Sequence, residues 1–117
     1  MTEKPVQDAR KKEHSVTDDP RFASVIEAFA GDADITAGKM MASPGLKVRG
    51  KIFAMLVRGA LVVKLPKTRV AELVSAGKGE PFEPSAGRVM KEWIALDVPP
   101  NTWLGFAREA HAFVKGL

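Results

Sequence analysis

The basic residues between Asp34 and Glu72 are the strongest candidates for binding chemistry in this sequence. That stretch holds eight lysines and arginines and no acidic residue. Clustered cations attract phosphate because binding releases the counterions condensed around nucleic acid. We therefore predict a nucleic-acid surface, and its candidate residues are Lys47, Arg49, Lys51 and Arg58.

A second interpretation of the same stretch needs no ligand. Lysine and arginine at hairpin tips and strand edges keep a sheet in solution and block edge-to-edge pairing. Phe53 is the only aromatic residue in the stretch, whereas single-stranded nucleic-acid sites add aromatic side chains for base stacking. Nucleic-acid binding is therefore the alternative function and not the first.

The sequence shows no arrangement typical of catalysis. It contains no cysteine, which excludes disulfides, thiolate metal sites and a cysteine nucleophile. Neither His14 nor His111 shares a predicted site with a second histidine or a pair of carboxylates. The segments at Gly38 and Gly77 lack the spacing of a phosphate-binding loop. We expect a non-enzymatic protein with no catalytic residue, no cofactor and no metal.

Phe82 and Trp93 define a weaker candidate site. Phe82 is the one large apolar residue in the Gly/Pro-rich segment 77–87, which predicts a loop. Trp93 lies on a strand predicted for residues 88–96, and tryptophan is enriched at binding surfaces. A small-ligand pocket between the loop and Trp93 is one interpretation. Core packing of the tryptophan is the simpler one.

The chain length suits one folded domain, preceded here by a polar tail. Residues 1–19 have four basic and five acidic groups, a net charge of −1, and we predict a disordered tail. The whole chain carries +4, so residues 20–117 carry +5. No segment approaches the roughly 18 consecutive apolar residues of a membrane span, and the N-terminus does not resemble a signal peptide. We expect a cytoplasmic protein that does not enter membranes.

Apolar periodicity predicts the first helix and a strand meander after it. Asp18 or Asp19 can cap the helix, whose apolar face holds Phe22, Val25, Ile26 and Phe29. From residue 46 to 65, three β-rich runs are separated by turns with positive φ at glycine, Arg49-Gly50 and Arg58-Gly59. A short run at 39–42 adds a fourth strand.

Both faces of the middle run, residues 51–57, are apolar. Alternation places Ile52, Ala54 and Leu56 on one face. The other face then holds Phe53, Met55 and Val57. We expect both sides of the sheet to be covered, by helices and loops or by a second copy of the chain.

The remaining pattern completes a two-layer α+β fold. It predicts a helix over 67–76, the strand at 88–96 and a final helix capped by Asn101 or Thr102. The predicted order is helix, four strands, helix, strand, helix, with an antiparallel sheet.

Several short motifs carry a family resemblance. They are Lys39-Met40-Met41, Ser43-Pro44-Gly45, Ile52-Phe53-Ala54-Met55, Val63-Lys64-Leu65, Met90-Lys91-Glu92-Trp93 and Pro99. The pattern resembles the N-terminal domain of the TfoX/Sxy family of bacterial competence regulators. Met41-Ala42-Ser43-Pro44-Gly45 replaces that family's Met-Phe-Gly-Gly turn, and we expect the second domain of the full-length regulators to be absent. The resemblance implies a YjbR-like fold and a regulatory module without catalytic residues.

The expected function is therefore a regulatory or interaction module of the TfoX N-terminal type that acts through protein contacts. The partner is unknown, and a second copy is one candidate because the middle strand has two apolar faces. Nucleic-acid binding through the basic meander 39–69 is the alternative, and small-ligand binding is the weaker one.

Overall fold

The structure, a computed structural model, describes residues 16–40 and 43–117. In chain order its elements are α1 (Pro20–Ala28), β1 (Ile35–Met40), β2 (Ser43–Val48), β3 (Lys51–Val57), β4 (Ala60–Lys64), α2 (Lys67–Ser75), β5 (Gly79–Ser85), β6 (Arg88–Leu96), a 3₁₀ turn (Pro100–Thr102) and α3 (Trp103–Lys115). The strands form one six-stranded sheet, and every neighbouring pair is antiparallel. This confirms the predicted α+β fold class. The predicted strand at 39–42 is β1, which begins at Ile35, while residues 41–42 lie outside the described residues.

The strand order is β1-β2-β3-β4-β6-β5. One ladder of paired residues crosses all six strands, through Ala37, Leu46, Ala54, Val63, Ile94 and Pro81. The neighbouring ladder runs through Gly38, Gly45, Met55, Val62, Ala95 and Glu80. Successive residues of a strand point to opposite faces, so the two ladders mark the two faces of the sheet.

All three helices pack on the face that carries the first ladder. Leu46, Ala54, Val63 and Ile94 belong to a single apolar core. The same core includes Phe22 of α1, Leu73 of α2 and Ala107 of α3. Met55 and Val62 of the second ladder are not part of it. Within the described residues, no helix covers the second face.

A β-bulge changes the face assignment predicted for β3. Leu46 of β2 pairs with Ala54, but the next residue, Lys47, pairs with Ile52, which leaves Phe53 as an extra residue. Phe53 and Ala54 are both fully buried in the helix-side core. The prediction that Phe53 shares a face with Met55 was therefore wrong, because simple alternation does not hold across a bulge.

The segment predicted as a loop at 77–87 contains the strand β5 instead. β5 pairs with β6 and lies at the edge of the sheet, with register shifts on both sides of Phe82. Pro81 and Pro84 lie within it. Proline has no backbone N–H to donate to a neighbouring strand. It is tolerated in an edge strand because one side of that strand has no neighbour that needs this hydrogen bond. The two prolines and Gly79 make the segment resemble a loop in sequence.

Residues 16–19, assigned above to the tail, contact the folded part. Thr17 is buried, and its hydroxyl accepts a hydrogen bond from the Asp19 backbone at 3.0 Å. Asp19 caps α1 by accepting from the Arg21 N–H at 2.9 Å. The Arg21 guanidinium bonds this carboxylate and holds the pKa of Asp19 below its usual range. The tail prediction for residues 1–15 lies outside the described residues.

The two tight turns of the meander have positive φ at both central residues. Arg49 and Gly50 have φ of 52° and 82°, and Arg58 and Gly59 have φ of 51° and 79°. Two-residue hairpins of this type favour asparagine before glycine, because other L-residues are strained in the left-handed region.

Replacing Arg49 with asparagine should raise the free energy of unfolding by about 0.5–1 kcal/mol. The exposed ion pair lost, Arg49 to Asp34 at 3.3 Å, contributes little in solvent. Urea denaturation measures the change. The matched control is Arg49→Gln, which loses the same ion pair without gaining the turn preference. Equal stability of the two variants would contradict this account.

Candidate interaction surfaces

The sheet face opposite the helices is apolar. It carries seven apolar side chains from β3, β4 and β6, here called the uncovered face: Ile52, Met55, Val57, Ala60, Val62, Trp93 and Ala95. None of the seven belongs to the helix-side core. Val62 is fully buried, and the other six are partly exposed. Antiparallel sheets that face water normally alternate apolar and polar residues. The apolar second face departs from this pattern.

Charged side chains lie on the uncovered face and at its edge. Lys47 of β2 pairs with Ile52 in the register, and Lys64 of β4 pairs with Trp93. The Lys64 ammonium lies 6.0 Å from the centre of the Trp93 ring. Glu80 belongs to the ladder of Met55 and lies on the edge strand β5. The face thus has cations on β2 and β4 and a carboxylate at the β5 edge.

The four predicted nucleic-acid residues do not form one patch. Arg49 and Arg58 lie in turns at opposite ends of β3, a strand of seven residues, so about 20 Å separates them. Lys47 faces the uncovered side, whereas Lys51 donates to the Leu117 carbonyl at the end of α3, at 3.2 Å. Three of the four therefore gather at one end of the sheet. Arg58 lies at the other end and donates to the Glu83 carbonyl at 3.3 Å.

Phe82 and Trp93 do not line a common cavity. Phe82 is buried beside Ala95 and Arg58, in a cavity of about 380 Å³. Trp93 lines a separate cavity of about 470 Å³ together with Lys64 and Lys91. The structure therefore has two separate surface cavities, on different parts of the β5–β6 hairpin, where a single pocket between these residues was predicted.

His111 and Arg69, whose side chains are of types that often serve in catalysis, pack against or pair with other side chains. His111 packs between Phe29 and Phe53, with ring centres 5.5 and 5.3 Å away, and its buried Nε2 atom has no hydrogen-bond partner among the described residues. Arg69 of α2 bonds Glu109 of α3 and also Glu72, which raises the pKa of Arg69. Within the described residues, no three histidine or acidic side chains lie close enough to hold a metal ion.

Sequence reasoning missed a groove between α2 and the β5–β6 hairpin. It is lined by Lys67, Val70, Ala71, Val74, Ser75, Pro81, Val89 and Lys91. Val89 is 53% exposed. Because β5 was predicted as a loop, nothing in the sequence placed α2 against this hairpin. The only available signal was Val89, an apolar residue beside Arg88.

No protein-family model matches the chain, and no curated protein matches it. The resemblance to the TfoX/Sxy family therefore stays a prediction. Among the described residues, no helix has the length and apolar character needed to cross a membrane.

Proposed function

We propose that this chain is a non-enzymatic interaction module of the TfoX N-terminal type, and that it associates with a second copy through the uncovered face. The observation that carries the proposal is the set of seven apolar side chains on the sheet face that no described helix covers. Apolar surface contributes about 25 cal/mol per Å² when it is removed from water, so a covered face is the more stable state.

The register of the sheet makes this face complementary to itself. A two-fold axis parallel to the strands places the third strand of one copy over the fourth strand of the other. Met55 of one copy then lies over the position of Val62 in the other, and because Val62 is already buried in each monomer, the contact area comes from Met55 and its partly exposed neighbours. On the same row, Gly45 meets Ala95. Each contact occurs twice by symmetry.

The same arrangement sets charged side chains of the two copies near one another. The second strand in the sheet, β2, lies over the fifth, β6, and the first lies over the sixth. Lys47 of one copy is then near Trp93 of the other, where the Lys64 ammonium of that copy already lies 6.0 Å from the ring centre. Glu80, on the edge strand, lies one strand from Lys47. The central row, which pairs Met55 with Val62 and Gly45 with Ala95, carries no charged side chain, and this favours an apolar contact between two copies.

Sedimentation velocity of the full chain over a range of concentrations tests the proposal. We expect a monomer at low concentration and a dimer at higher concentration. Added salt should change the equilibrium only weakly, because the central contacts are apolar. A chain that stays monomeric at roughly millimolar concentration, where even weak specific contacts form, would contradict the proposal.

Phosphate-backbone binding is the second candidate, and the gathering of Lys47, Arg49 and Lys51 at one end of the sheet favours it. If this end binds a labelled mixed-sequence duplex, changing those three residues to glutamine should weaken binding equally for all sequences and lower its salt dependence. Fluorescence anisotropy at about 50 and about 200 mM salt measures both effects. Arg58→Gln, at the opposite end, is the control. No binding at the lower salt concentration would reject this function.

A further inference from the structure

The groove beside α2 combines apolar walls with cations that lack partners. Its walls come from Val70 and Val74 of α2, Pro81 of β5 and Val89 of β6. Val89 and the terminal Leu117 are the two large apolar side chains that are more than half exposed among the described residues. Scattered exposed apolar residues are ordinary, but Val89 lines one groove together with Val70, Val74 and Pro81. The groove therefore offers an apolar contact to a partner.

Lysines surround one end of this groove. Lys67 and Lys91 line it and also line the neighbouring cavity, which contains Lys64 and Glu92. Among the described residues, Glu92 is the only acidic one that lines either cavity, and its carboxylate lies 3.9 Å from the Lys64 ammonium. Within the described residues, neither Lys67 nor Lys91 makes an ion pair. Two positive charges are thus left without compensation.

The backbone adds to the positive potential at the same end. Lys67 is the first residue of α2, and the first turn of this helix contains no acidic residue and no side-chain cap. A cation at a helix N-terminus is electrostatically unfavourable, whereas an anion there is stabilising. The charge distribution of this region therefore favours a negatively charged occupant.

The shape of the groove favours a polypeptide over a small molecule. It has a volume of about 550 Å³ and opens to solvent between one helix and one hairpin. Small-molecule sites are concave and bury most of the ligand surface. A shallow groove beside a helix is instead typical of sites that accept a segment of another protein.

We propose that the groove formed by α2, Pro81 and Val89 binds a partner-protein segment in which apolar side chains alternate with carboxylates. The apolar side chains contact Val74, Pro81 and Val89, and the carboxylates pair with Lys67 and Lys91. This goes beyond self-association, because the groove lies beside α2 and not at the centre of the uncovered face. The two proposals can therefore fail separately.

Fluorescence anisotropy with the full chain and a labelled peptide of alternating leucine and glutamate tests the inference. A leucine–lysine peptide and a serine–glutamate peptide of the same length serve as matched probes. We expect the leucine–glutamate peptide to bind at least tenfold more tightly than either, because only it meets both requirements of the groove. Equal binding of the leucine–lysine peptide, or no binding of any peptide, would overturn the proposal.

Variants of the protein locate the site. Val89→Ser should weaken binding by roughly tenfold through lost apolar contact, without harming a fold in which Val89 is largely exposed. Lys67→Gln should weaken binding severalfold and reduce its salt dependence. Lys78→Gln, beyond the other end of α2, is the charge-matched control. Unchanged binding by Val89→Ser, or equal effects of the two lysine variants, would overturn the proposal. Met55→Lys, designed to stop self-association, should bind the peptide as the unmodified chain does.

Discussion

Replacing Phe53 with alanine is expected to lower the free energy of unfolding by about 3–5 kcal/mol. Phe53 is fully buried, and its ring contacts Phe29, the C-cap residue of α1, and His111 of α3 at centroid distances of 5.4 and 5.3 Å. Truncation removes these contacts and leaves a cavity where two helices meet the sheet. The loss would be a large part of a typical domain stability of about 5–15 kcal/mol. Urea denaturation at low protein concentration measures it.

Met55→Ala is the control for the bulge. Without the bulge, Phe53 and Met55 would share a face and would be covered by the same groups. In the structure Phe53 lies in the helix-side core, while Met55 is partly exposed on the other face. We expect the methionine variant to lose less than about 2 kcal/mol, below the usual cost of truncating a fully buried methionine. Similar losses for both variants would mean that the bulge is not where the structure places it.

Replacing Met55 with lysine is expected to abolish self-association. The substitution places one charge from each copy near the centre of the proposed interface, opposite the partner's apolar Val62. An unpaired charge buried at an interface costs several kcal/mol. The dissociation constant should therefore rise at least about a hundredfold. In the monomer, Met55 is partly exposed, so the ammonium can reach solvent and the fold should persist.

Leu117→Lys is the matched control for this change. It adds the same charge at an apolar residue that is 60% exposed and lies at the end of α3, away from the uncovered face. Its sedimentation should match that of the unmodified chain. A Met55→Lys chain that still dimerises with unchanged affinity, as judged by sedimentation velocity, would remove the uncovered face as the interface.

The elements with strong local sequence signals were the ones that the sequence predicted. The cap at Asp19 and the four apolar positions of α1 are as expected, and both Arg-Gly turns join paired strands. β5 was missed because Pro81 and Pro84 lower strand propensity and an edge strand tolerates them. The bulge at Phe53 was missed because residues 52–57 are apolar throughout, and such a run carries no signal for a change of face.

The candidate sites were less predictable, because they depend on long-range packing. The separation of Arg49 from Arg58 does follow from the predicted meander, since consecutive turns lie at opposite ends of the strand between them. The helix-free face depends on all three helices packing on the same side, which local patterns do not specify. The groove needs α2, Pro81 and Val89 in one place, and these residues come from three separate elements.

The most direct test of the proposed interface is hydroxyl-radical footprinting of the full chain across the concentrations at which it associates. Methionine and tryptophan oxidise readily when exposed, so Met55 and Trp93 report on the uncovered face. Phe106, a partly buried residue of α3 on the helix side, is the internal reference. We predict that oxidation of Met55 and Trp93 falls as dimer forms, while oxidation of Phe106 stays constant. Association with unchanged oxidation of Met55 and Trp93 would contradict the account and place the contact on another surface.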